Sequence, residues 1–399
     1  MRRIPLVACI AALGAATPLA GQRPASADLV WPAPPEAARI RYVGSLSSEA
    51  DVGRRDPFLA RLMRAIVGGT GYRQIHLERP FDVLAEDGQR VYVTNGLRGA
   101  VVLFDGRERR ARLIGQDVPG GLAKPMGLGG DGRGNVYVAD AGARRVVVFG
   151  PDGRYLRGFG GASVLLNPVD VAVDGVTGRA FVVDGFLHQV VIFDSAGVLV
   201  GRIGKQAGSI EARTARAERG ADSTVASGAP EGHPLASGEP SDIWENRGGE
   251  PGEFRYPVSV ALAPGGTVYV SDQMNFRVQA FDREGRFLTQ FGHIGDAPGT
   301  FTRPKGVSVD GEGHVYVVDA AFNNVQVFDA EGHLLIAFGA LGHGDGEHWL
   351  PVGMAIDRED RIYIADRYNN RLQVYQYLPA AAVPQLASPA PAEPRPPLR

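Results

Sequence analysis

The chain has 399 residues, 44% of them apolar and 22% charged, with a formal net charge of −2. That balance supplies a large core, excludes a disordered chain, and gives no general attraction to the phosphates of nucleic acid. Glycine (54) and proline (28) are abundant, as in an all-β protein dense in turns.

The first 27 residues read as an export signal. Met1-Arg2-Arg3 is basic, residues 4 to 20 are apolar, and Ala25-Ser26-Ala27 is a small-residue cleavage site, the three parts of a secretory signal peptide. The expected working chain starts near Asp28, periplasmic or secreted, and no later stretch is long enough to span a bilayer. Loss of Arg2, Arg3 and Arg23 takes the charge to about −5 and argues further against a nucleic-acid partner. The one cysteine, Cys9, leaves with the signal, so no disulfide and no thiolate chemistry are expected. Leu6-Val7-Ala8-Cys9 fits a lipoprotein box as an alternative, but the apolar run before it covers residues 4 to 8 alone and continues past it.

Residues 28–79 form a lead-in with three parts. Trp31-Pro32-Ala33-Pro34-Pro35 predicts a stiff extended segment, and Arg39-Ile40-Arg41-Tyr42-Val43-Gly44-Ser45-Leu46 an alternating strand. Residues 56–67 predict a short amphipathic helix with Asp56 as N-cap and Pro57 at its first position. Its stripe of Phe58, Leu59, Leu62 and Ile66 is expected to pack on the rim of the following domain, with a membrane surface as the alternative.

From residue 80 to 378 one segment type recurs six times. Each copy starts at a proline (Pro80, Pro125, Pro168, Pro257, Pro304, Pro351), runs through an apolar strand and a Gly/Asp turn, and reaches an aromatic-centred strand. Those strands end at Asn95, Asp140, Asp184, Asp272, Asp319 and Asp366, each followed eight residues later by an apolar residue of the next strand. The starts are about 43 to 47 residues apart, apart from one gap of about 89, and such a period of short strands predicts propeller blades. The long gap holds an insertion at about 205–250, rich in Ala, Gly, Glu, Arg and Ser without an alternating apolar run, so it cannot supply a seventh sheet. The sixth repeat has only three strands before proline takes over, so the strand at 39–46 is expected to complete it and close the ring. Residues 379–399 read as a disordered Pro-rich tail.

The last copy carries the pattern in full: Pro351-Val352-Gly353-Met354-Ala355-Ile356-Asp357, Ile362-Tyr363-Ile364-Ala365-Asp366, Asn369-Asn370-Arg371 and Leu372-Gln373-Val374-Tyr375. This resembles the NHL repeat, and the lead-in is similar to that of bacterial exported six-bladed NHL proteins of undetermined function. The resemblance covers residues 28–378 apart from the insertion. It implies an all-β, six-bladed β-propeller closed by an N-terminal strand, with one short N-terminal helix, and implies an activity only weakly.

In such a ring the loops from second to third strand, the blade-to-blade connections and the insertion project on one face. The loop residues diverge: the fourth position reads Gly99, Arg144, His188, Phe276, Asn323, Asn370, and the second Leu97, Gly142, Phe186, Met274, Ala321, Tyr368. Arg98, Arg144, Phe186, His188, Phe276, Phe322 and Tyr368 are therefore the candidate ligand-binding residues, with drift in solvated loops as the plain reading. The strand-end position, five carboxylates and Asn95, recurs in every repeat, which fits a cap on turn amides better than a catalyst needed once.

No catalytic set and no metal or other cofactor are expected. Related amidating lyases hold zinc with three converging histidines, whereas here His188 is alone on its loop and His343 and His348 sit in a Gly-rich connection without a recognised metal spacing. That connection is expected to place Trp349 as a plug between blades. No G-x-S-x-G motif occurs, and the glycine pairs precede no helix, which argues against a phosphate loop. The leading expectation is a non-enzymatic exported monomer binding a protein, peptide or glycan partner on the loop-bearing face. The alternative is a metal-dependent lyase or lactonase/esterase-like enzyme with a site in the central channel, where Asp170 is the one unusual residue of the inner strands. RNA binding, as in some animal NHL proteins, is disfavoured by the signal and the charge.

Overall fold

The computed structural model describes residues 29–52, 74–85, 88–96, 99–204 and 249–379. The expected signal peptide, the helix at 56–67, Arg98, residues 205–248 of the insertion and the tail beyond 379 lie outside the described residues.

The six repeats fold into six antiparallel sheets, each taking its strands in sequence order from the axis outward. Blade one comprises Pro80–Ala85, Arg90–Asn95, Ala100–Asp105 and Arg110–Ile114. The inner strands of the following blades are Pro125–Gly130, Pro168–Val173, Pro257–Leu262, Pro304–Val309 and Pro351–Ile356. Second strands such as Val136–Asp140 are buried at every residue, whereas the outermost strand Tyr155–Gly160 alternates half-buried and exposed. This is the pattern expected when blade centres pack on both sides and blade edges face solvent.

The core lies between blades. Each of the six apolar clusters joins two neighbouring sheets, including one shared by Val83 and Phe104 of blade one with Tyr363 and Leu372 of blade six. The ring therefore depends on every neighbour being present.

Closure follows the sequence expectation and adds a strand to it. Ile40–Leu46 pairs antiparallel with Arg371–Tyr377 and becomes the fourth strand of blade six. Val30–Trp31 then pairs with it as a fifth, so Trp31 belongs to a sheet and not merely to a stiff lead-in. Its indole packs against Phe338 at 6.0 Å and edge-on to Tyr375 at 5.7 Å, burying the seam between blades five and six. Among the described residues the helical elements are two short 3-10 turns, Glu49–Val52 and Gln273–Asn275.

All six inner strands share one irregularity. Pro80 pairs with Asn95 but Val83 with Val93, and the same slip follows Pro125, Pro168, Pro257, Pro304 and Pro351. Such a bulge re-aims a side chain, and here it turns the third residue of each inner strand toward the neighbouring blade.

Candidate functional site

The loop-bearing face is built on the strand-end acids. Asp140, Asp184, Asp272, Asp319 and Asp366 are fully buried. Asp184 accepts N–H bonds from Leu166 (2.6 Å), Asn167 (2.9 Å), Phe186 (3.1 Å) and Leu187 (2.9 Å), so one carboxylate ties the connection entering its blade to the loop leaving the second strand. Asp319 does the same for Thr302 (2.7 Å) and Ala321 (2.9 Å). Asp272 adds a buried pair with Arg277 at 3.0 Å. Burial pushes Asp184 above the usual carboxylate range and Asp272 up to about 6, against the pull of these donors.

The fourth loop position has a backbone meaning that its varied side chains conceal. Gly99, Arg144, His188, Phe276, Asn323 and Asn370 all have φ between 53° and 57°, the left-handed region that suits Gly and Asn and strains the others. In three blades the side chain at this position latches the next blade. Asn370 Oδ1 accepts from Arg79 N (2.8 Å), Asn323 Oδ1 from Leu350 N (2.8 Å) and His188 Nδ1 from Tyr256 N (2.8 Å). Each donor is the residue before a blade-starting proline. His188, a candidate for ligand contact, is therefore buried at a blade seam in the role that asparagine fills elsewhere.

One cluster on this face is assembled from separate segments. Trp349, held by its N–H to Asp366 Oδ1 at 2.7 Å, stacks on Tyr368 at 5.4 Å, while the His343 ring stands edge-on to the indole at 5.0 Å. Arg79, at the start of blade one, lies over Tyr368 at 5.5 Å, and Arg367 over Phe81 at 5.6 Å. Trp349 is 40% exposed, so it is part of an open surface and not the expected plug between blades.

The sequence-derived candidates are not gathered at one point. Tyr368 belongs to the cluster just described. Phe186 is 43% exposed and leans on Tyr256 at 6.3 Å in blade three, Phe276 is half-buried against the core shared by blades four and five, and Phe322 and Arg144 are half-buried in blades five and two. Sequence reading missed Arg79 and His343. Arg79 is remote from Tyr368 in the chain, and only the closed ring brings them together.

The axis holds a second ring of positions, set by the bulges: Asp82, Gly127, Asp170, Ser259, Gly306 and Gly353. Asp82 Oδ2 accepts from Leu128 N at 2.8 Å, Asp170 Oδ2 from Val260 N at 2.9 Å, and Ser259 Oγ from Val307 N at 3.2 Å, each bond crossing to another blade. A side chain at Gly127 would overlap Asp170, and one at Gly353 would overlap Asp82. Burial drives both acids toward the protonated form, Asp170 to about 6 and Asp82 well above the usual range with the Asp170 charge adding to it. Asp82 was also missed, although Pro80-Phe81-Asp82 repeats the register of Pro168-Val169-Asp170.

Among the described residues the histidines do not converge. His348 is fully buried between Asn323 O (3.2 Å) and the Tyr375 hydroxyl (2.9 Å), where burial lowers its pKa, whereas His343 bonds Asn369 Oδ1 at 2.7 Å on the surface. Among the described residues no group of three His, Cys, Asp or Glu side chains gathers as a metal site requires. No helix among them is long and apolar enough to cross a membrane.

A six-bladed ring with capped strand-end acids and axial bulges defines a β-propeller built from NHL-type blades. Residues 254–281 and 349–375 match the NHL repeat. It is 27% identical over 180 residues to peptidyl-glycine alpha-amidating monooxygenase A of Xenopus laevis, a match covering 42% of this chain and 15% of that protein. In fold it is similar to a protein of unknown function from Bacteroides thetaiotaomicron (TM-score 0.54, 15% identity, covering 85% of this chain and 75% of that one). An auxiliary nutrient binding protein of the same organism is similar as well (TM-score 0.51, 11% identity, 75% of this chain and 69% of that one).

Proposed function

We propose that this propeller is an exported binding scaffold whose loop-bearing face recognises a protein, peptide or glycan partner across the seam between blades six and one. The observation that carries the reading is the Trp349, Tyr368, His343 and Arg79 cluster, an open aromatic surface beside cations on rigid, capped loops. Aromatic and arginine side chains on a rigid platform bind with little ordering cost, and they dominate measured hot spots. The nutrient-binding role of one structural neighbour is compatible with it. The signal-like first 27 residues support action outside the cytoplasm.

The test places a photoreactive residue at exposed Ala321, crosslinks the full chain in its own envelope, and titrates the captured partner by calorimetry. Trp349→Ala and Tyr368→Ala should each weaken that partner by about tenfold, roughly 1.4 kcal/mol. Unchanged affinity in both variants would remove this surface as the site.

A further inference from the structure

The opposite face carries a concavity of its own. A basin of about 690 Å³ opens on the axis, lined by the inner-strand ends of all six blades and by turn residues of blades two to six. That volume is in the range of small-molecule sites.

Its two sides differ in chemistry. Arg358 in the blade-six turn reaches Gly132 O at 3.3 Å, and Arg133 in the blade-two turn reaches Gly175 O at 3.5 Å, so two exposed guanidiniums lie along one side of the rim. Among the described residues neither forms an ion pair, and both contacts are long ones to neutral carbonyls. A guanidinium has five N–H donors, and an oxyanion is a much stronger acceptor for them than a carbonyl.

The acids in the lining do not compete for these arginines. Asp131 accepts the turn amides of Arg133 (2.8 Å) and Asn135 (3.1 Å), and Asp357 those of Glu359 (2.9 Å) and Arg361 (3.0 Å). Asp310 is held by its own turn and by the Tyr316 hydroxyl at 3.1 Å. Of the neighbouring glutamates, Glu359 pairs with Arg361 and Glu312 accepts from the Tyr377 hydroxyl at 3.2 Å.

The other side is apolar. Blade four puts Ala263-Pro264 where blades two, three, five and six have Asp131, Asp174, Asp310 and Asp357. Leu262 and Val309 end the inner strands of blades four and five with side chains only partly buried and line the basin there, while Leu84 and Ile356 add apolar surface beside the arginines.

From this division we infer that the basin is a binding site for a small amphiphilic organic anion, its carboxylate, sulfonate or phosphate group held between Arg133 and Arg358 and its apolar body resting on Leu262, Val309 and Ile356. The site is independent of the partner surface on the other face.

Anilinonaphthalene sulfonate, titrated into the full chain and followed by its fluorescence, tests the inference. One saturable site is expected, with at least tenfold weaker binding in Arg133→Ala/Arg358→Ala at an unchanged melting temperature. Leu262→Trp, which fills the apolar side, should weaken it as well, and the uncharged analogue phenylnaphthylamine should bind the wild type at least tenfold less tightly. Trp349→Ala/Tyr368→Ala should leave the titration unaltered. Equal affinity in the double arginine variant, or loss of the signal in the aromatic variant, would overturn the assignment.

Discussion

The strand-end acids and the axial acids are both buried carboxylates at fixed positions of the repeat, yet they meet different neighbours. A strand-end acid works within its own blade, where Asp184 collects four N–H donors from two loops that every blade must close. An axial acid works between blades: Asp82 reaches blade two and Asp170 reaches blade four. The first role recurs in five of the six copies, which keep aspartate, while blade one has Asn95 at that place. The second depends on two adjacent blades together, so the residue type can alternate, provided that Gly127 makes room for Asp170 and Gly353 for Asp82.

The largest effect expected from breaking this contrast is at a strand-end acid. Asp272→Ala removes the carboxylate paired with Arg277, whose side chain is 6% exposed, and uncaps Arg255 N. An uncompensated buried charge costs about 3–5 kcal/mol, so the midpoint of chemical denaturation should fall steeply. A loss under about 1 kcal/mol would mean that the acid is not the cap that its geometry indicates.

The axial acids should show themselves through pH. Asp170 has a folded value of about 6 against 3.8 for the free group, and Asp82 is raised further. As pH rises from about 4 the unfolded chain ionises first, so this pair stabilises the fold below that range and the contribution is lost as pH passes through 6. Serine, which already fills the equivalent place at Ser259, is the conservative replacement. Asp82→Ser/Asp170→Ser should gain relative to wild type as pH rises from 4 to 7, by about 3 kcal/mol from Asp170 alone. Asp184 and Asp272 titrate alike in both proteins and cancel. Parallel stability curves would show that the axial acids are not held protonated.

A smaller effect tests the room between them. Gly127→Ala should cost about 1–3 kcal/mol, the usual range for overpacking, because the new methyl meets Asp170 and the Val169 carbonyl. Gly311→Ala, where nothing lies within 4 Å, is the control and should be neutral or slightly stabilising. If the two substitutions melt alike, close approach at the axis is not what selects glycine.

How much of this could be read from the chain follows the same division. The blades, their order and the closing strand were legible because apolar alternation and the proline starts are local and repeated. The cap role of the acids was legible for the same reason. The cluster of Arg79, Trp349, His343 and Tyr368 was not, since it joins the first blade to the last and no local pattern marks it. Neither were the bulges that aim Asp82 at the neighbouring blade, nor the basin, which arises only when the inner strands of six separate blades are brought around one point. Divergence at the fourth loop position suggested recognition, but its common left-handed backbone shows that side-chain variety can coexist with one structural task.

The smallest expected effect comes from that position. His188 sits at φ 55° and accepts the Tyr256 N–H at 2.8 Å, as Asn323 and Asn370 accept from Leu350 and Arg79. Asparagine tolerates the left-handed region better than histidine and brings an acceptor oxygen to the same seam. His188→Asn should therefore stay within about 0.5 kcal/mol of wild type, whereas His188→Ala keeps the strain, orphans the amide and should lose about 1–3 kcal/mol. Partner affinity in the crosslinking and calorimetry scheme should be unchanged by the asparagine variant, because the ring nitrogen faces the blade seam and not the open surface. If His188→Asn fell as far as His188→Ala, or lost the partner while melting normally, the imidazole would be doing something that the latch does not explain.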